Sequence, residues 1–154
     1  MIKKNFKTYN IMESYNIIKI LPNIYLTNNY NIDNNFLINN SITHIIVINN
    51  IYENNIEQSE TYTQINLSVS ELNIDFNVIN IMLIDILKKA KNILIISEKN
   101  IVGFIIVGAF LISNLNLSFL QILIMDKYYG IQIKKSKYYK LLENYYNNKK
   151  NILL

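Results

Sequence analysis

Positions 93–96, Ile-Leu-Ile-Ile, form an apolar run with no alternation, the pattern of a strand covered on both faces. After a short polar stretch, SEKNIV, positions 103–112 (GFIIVGAFLI) are apolar on every side. That segment has the length of a buried core helix and falls far short of the roughly 18 residues of a membrane span. A polar loop joining a strand end to a helix start is where α/β proteins place phosphate sites.

The same reading extends along the chain. Positions 17–21 and 24–27, broken by Pro22-Asn23, predict two short strands in a tight turn. Asp33 is placed to cap a short helix over 32–39 that buries Phe36 and Leu37. The β-branched run at 42–48 predicts a second strand buried on both faces, and YTQINL at 62–67 alternates as a further strand. Positions 49–61 are polar and acidic and read as a surface loop. Ile79, Met82, Leu83, Ile86, Leu87 and Ala90 recur at helical spacing, so a packing helix is expected over about 76–91, with Asp75 as its cap. A further helix begins at Leu117 or Ser118, runs through Tyr128 and stops at Gly130. Met125 within it reads as core. Ser136 is placed to cap a last helix with Tyr138, Leu141, Leu142 and Tyr145 facing inward. The fold expected is α/β, one domain over 17–147 built on a central, mostly parallel five-stranded sheet flanked by helices. An N-terminal arm or short helix (1–16) precedes it, and a tail (148–154) follows.

Strand, short loop and a buried helix carrying Ala109-Phe110-Leu111-Ile112 together resemble the signature region of the dual-specificity protein phosphatases. IIKILPNIYLTN at 17–28, ITHIIVI at 42–48 and the last helix resemble other parts of that family. The resemblance covers roughly 17–146 and implies a tyrosine phosphatase-like architecture. It also assigns positions. Ser97 stands where the family has its nucleophilic Cys, Gly103 where it has its phosphate-gripping Arg, Phe104 where a Ser follows, and Val69 where it has its general acid. The former phosphate loop is thus Ser97, Glu98, Lys99, Asn100, Ile101, Val102, Gly103 and Phe104.

Composition decides what that site can do. The chain has no Cys, and all fifteen basic residues are Lys, so neither a thiolate nor a guanidinium can stand at a shifted position. A serine hydroxyl needs an adjacent base, whereas a thiol can be ionised near neutrality. Arg offers a planar, bidentate grip that Gly103 lacks. Glu98 adds a charge whose repulsion of a phosphate dianion is on the order of 1 kcal/mol or more. Glu71, through a slip in the alignment, is the alternative acid, but an acid without a nucleophile does no work. The expectation is a catalytically inactive homologue, a pseudophosphatase, that binds a protein partner or acts as a scaffold, with the 97–100 loop as a docking edge. Poxviral members of the family dimerise through the N-terminal segment, and 32 Ile and 27 Asn suggest an AT-rich genome, so the resemblance further implies a viral homodimer.

Other chemistries are weaker in the sequence. His44, the lone His, sits in a predicted strand with no nucleophile beside it and reads as a half-buried structural residue. With one His and no Cys, no metal site and no cofactor are expected. The absence of a secretory apolar segment at the start fits an intracellular protein, in host cytoplasm or virion if viral, with no membrane partner. Two alternatives remain, a residual phosphatase acting through Ser97 and a nucleic-acid-binding module using the Lys/Tyr-rich stretch 134–150. A net charge of +4 spread over the chain disfavours the latter.

Overall fold

The computed structural model describes residues 17–49, 55–69 and 74–152. The expected N-terminal arm, the dimer contact assigned to it and Glu71 lie outside these residues. The sheet is assembled from the apolar runs, whose backbone groups pair in the order β1-β2-β6-β3-β5-β4. In chain order, β1 is Ile18–Leu21, β2 Ile24–Thr27, β3 Ile42–Asn49, β4 Asn55–Gln58, β5 Thr63–Ser68 and β6 Asn92–Ser97. The neighbours β2, β6, β3 and β5 run parallel, while β1 and β4 are antiparallel edges. The sheet therefore has six strands, not five. The added strand, β4, lies inside the stretch expected to be loop.

Alternation along the central strands splits the core in two. Ile24, Leu26, Ile46, Ile48, Ile93 and Ile95 face one side, and Tyr25, Ile45, Val47, Leu94 and Ile96 face the other. Both sets are buried, as the unbroken apolar runs require. The second side is covered by the short helix α1, Asn34–Asn39, whose Phe36 packs edge-on against Tyr25. Asp33 caps it by accepting from the Asn35 N–H. The first side carries α2 (Phe76–Lys89), α3 (Ile101–Leu115), α4 (Phe119–Tyr129) and α5 (Tyr138–Ile152).

Helices α1, α2 and α4 begin where the sequence supplies a side-chain acceptor for the free N–H groups of a first turn. Asp75 accepts from the Asn77 and Val78 N–H groups and starts α2. Ser118 and Gln121 cap one another's backbone in a reciprocal box at the start of α4. Gly130, with φ +68°, ends that helix in the left-handed conformation. Ser136 does not cap α5, because its hydroxyl donates back to the Ile133 carbonyl and finishes the preceding turn. The inward face expected of α5 is present, with Leu142 fully buried and Tyr138, Leu141 and Tyr145 packed against the core. This helix continues past the expected domain end at 147 to Ile152. Helix α3 and the turn before it, residues 98–115, are long and apolar enough to cross a membrane by length and composition. In this fold the apolar part of that stretch lies under the sheet, with Phe104 through Ala109 buried.

Candidate functional site

Strand β6 lies at the centre of the sheet, between β2 and β3, and ends at Ser97, which pairs with Ile48. The chain then turns through Glu98–Asn100 and enters α3 at Ile101. Lys99 (φ 55°) and Asn100 (φ 61°) both take the left-handed conformation, and this reverses the chain within three residues. The loop is consequently shorter than the six-residue SEKNIV stretch suggested. Ile101 and Val102 already belong to the helix, and Gly103 is its third residue.

This geometry fixes what Ser97 does. The residue is 1% exposed, and its Oγ accepts the Gly103 N–H at 3.0 Å. The hydroxyl thus satisfies a helix-terminal N–H from below, and one of the few amides able to meet an anion at this helix start is occupied by the chain itself. Gly103 is held equally closely. A Cβ there would stand 3.0 Å from Ser97 Oγ, 3.3 Å from Ile95 Cγ2 and 3.4 Å from Leu26 Cδ2. A side chain at this position would have to grow into β6 and β2.

A cleft of about 650 Å³ opens beyond the carboxyl ends of β3, β5 and β6, where open α/β sheets bind their ligands. Ser97, Glu98, Val102 and Val69 all line it, whereas Gly103 does not. Val69 is fixed at the end of β5 by its N–H donating to the Asn49 carbonyl. Asp75 is absent from the cleft lining and is engaged as a helix cap.

Two residues that the sequence did not bring to attention complete the charge pattern. Glu57, on the unexpected strand β4, reaches the cleft, where its Oε1 accepts from Asn66 Nδ2 at 3.2 Å. Asn66 Oδ1 in turn accepts from Gln64 Nε2 at 3.0 Å, so the carboxylate ends a short chain of amides along β5. Tyr30 donates its hydroxyl to the Ile48 carbonyl at 3.3 Å. Partial burial, and then the nearby Glu98 carboxylate, push its phenol pKa up against a weaker opposing hydrogen bond from the Glu98 backbone. The charged side chains lining the cleft, among the described residues, are Glu57 and Glu98, both acidic.

His44 is remote from this chemistry. It sits four residues before Ile48 on β3, about 13 Å away at roughly 3.3 Å per residue. The strand half-buries it, and its Nδ1 lies 3.1 Å from Thr43 Oγ1. Partial burial, then the Lys89 ammonium, hold its imidazole below the ordinary value. With the folded value below the unfolded one, neutral His44 contributes stability above about pH 6.5. That contribution is lost as pH falls through the unfolded and then the folded value. The urea midpoint should therefore drop further between pH 7.5 and 5.5 in the wild type than in His44→Gln; equal drops would refute the assignment. No group of three or more potential metal ligands occurs among the described residues.

Comparison with solved structures places this architecture. The chain superposes on a leucine-rich repeat and phosphatase domain containing protein from Entamoeba histolytica with a TM-score of 0.65 at 20% identity, covering 88% of this chain and 94% of that one. Against the human tyrosine phosphatase-like serine/threonine/tyrosine-interacting protein the values are 0.64, 14%, 84% and 94%. Against human DUSP28 they are 0.66, 10%, 88% and 97%. No family model matches the chain, and no curated protein matches it. The fold is that of the dual-specificity phosphatases.

Proposed function

We propose that this chain is a pseudophosphatase, a dual-specificity phosphatase fold that works as a protein-binding module and not as a phosphoester hydrolase. The observation that carries the reading is the bond from the Gly103 N–H to the buried Ser97 Oγ, made at the two positions where hydrolysis would need a nucleophile and a guanidinium. A hydroxyl buried in this way, with no imidazole near it and no cation lining the cleft among the described residues, has no route to ionisation and nothing to hold a dianion against. Val69 at the acid position leaves the leaving oxygen without a proton donor. One of the structural neighbours is itself named a phosphatase-like interacting protein, which supports a binding role for such a fold. Helix α4 adds a surface suited to protein contact, since Leu120, Ile124 and Tyr128 are exposed at successive i, i+4 positions along one stripe.

The test is hydrolysis of p-nitrophenyl phosphate by purified protein. Release at the buffer rate, unchanged in Ser97→Ala, is the expected result. Turnover that disappears in Ser97→Ala would overturn the reading.

A further inference from the structure

We infer that the emptied cleft recognises a cationic side chain, lysine or arginine, presented by a partner protein. This rests on the non-catalytic reading above and names the chemistry that the same cleft would take. A pocket that binds phosphate has to bring positive charge to its floor. Here the ionised groups at the cleft are the carboxylates of Glu57 and Glu98, which would repel a dianion and attract an ammonium or guanidinium.

The rest of the lining fits the same ligand. Tyr30, Tyr62 and Tyr138 stand around the cleft, and tyrosine rings attract a desolvated cation through the negative charge on their faces. Tyr138 already makes such a contact with Lys137, which lies 5.6 Å from its ring centroid and outside the cleft lining. The amide chain from Gln64 through Asn66 holds Glu57 in place, which lowers the entropic cost of using it. A volume of about 650 Å³ is ample for one long side chain with part of its backbone.

A neighbouring groove provides an internal control. It meets the cleft at Glu98, Val102 and Tyr138 but is lined on its other side by Lys99, Lys135 and Lys137. Anions approaching this face should be drawn to those lysines, leaving the cleft itself to cations.

The experiment is a titration of the isotope-labelled full chain, followed by amide chemical shifts, with acetyl-Gly-Lys-Gly-amide and acetyl-Gly-Arg-Gly-amide. The neutral acetyl-Gly-Gln-Gly-amide and free phosphotyrosine serve as comparisons. Saturable shifts at Glu57, Tyr62, Val69 and Glu98, with at least one cationic peptide binding about tenfold tighter than the neutral one, are expected. The double substitution Glu57→Gln with Glu98→Gln should remove that preference while leaving shifts elsewhere unchanged. If both cationic peptides bind no better than the neutral one, or the preference survives in the double variant, the inference fails and the non-catalytic reading stands. If phosphotyrosine shifts the cleft amides in preference to those of Lys99, Lys135 and Lys137, both fail together.

Discussion

Placing cysteine at 97 and arginine at 103 should yield a destabilised protein without phosphatase activity, and the arginine should be responsible for most of the damage. A Cβ at residue 103 already comes to 3.0 Å from Ser97 Oγ and 3.3 Å from Ile95 Cγ2, both on the central strand β6. Past that contact an arginine has six further heavy atoms and a charge to accommodate, beneath a strand whose residues are at most 4% exposed from Ile93 to Ser97. Replacing a helical glycine gains about 1 kcal/mol of propensity. Against it stand about 1–3 kcal/mol for overpacking and several more for a buried, unpaired guanidinium. The clash wins, and Gly103→Arg should lose about 3 kcal/mol or more in urea denaturation. Ser97→Cys alone keeps a small buried group beside the Gly103 N–H and should cost much less, about 1 kcal/mol, the net worth of one such hydrogen bond. A soluble double variant that hydrolyses p-nitrophenyl phosphate would show that this site still has room for the chemistry.

The same contact explains why the site was only partly legible in the sequence. Absence of cysteine and arginine is a property of the whole chain and needs no structure to read. The loop length is different, because it depends on Lys99 and Asn100 both adopting the left-handed conformation. Asparagine visits that region readily, but lysine pays about 1–2 kcal/mol to do so and gives no local warning. Glu57 was hidden for another reason. Its strand, Asn55–Gln58, holds a single apolar residue, Ile56, which points to solvent. What makes it a strand is the backbone ladder to β5, pairing Glu57 with Gln64 and Gln58 with Thr63, and ladder bonds leave no periodicity in side chains. The elements read correctly, β3, β6, α2 and α3 above all, are those whose apolar spacing is itself the cause of their burial.

Leu142→Ala should be the most damaging single truncation in the C-terminal helix, and it tests whether the Lys/Tyr-rich stretch is held as a core helix. Leu142 is the fully buried residue of α5, and its Cδ2 would be 3.3 Å from a Cβ at Gly108 of α3, so the two helices approach closely at that glycine. One turn further on, the Tyr145 hydroxyl accepts from Asn80 Nδ2 at 2.9 Å and also meets Ser113 Oγ, tying α5 to both α2 and α3. Truncating a leucine packed in this way removes its transfer energy and leaves a cavity between helices that cannot fully close, a loss of about 2–5 kcal/mol. The lysines of the same helix behave differently. Lys140 bonds Glu143 at 2.8 Å on the open face, and Lys149 and Lys150 lie in the last turns. Changing Lys140, Lys149 and Lys150 to Gln should move stability by about 0.5 kcal/mol or less per site. A helix that docks by its apolar face gives this contrast in urea denaturation. A near-neutral Leu142→Ala would instead detach α5 from the core and return its tyrosines and lysines to the role of a polyanion-binding patch.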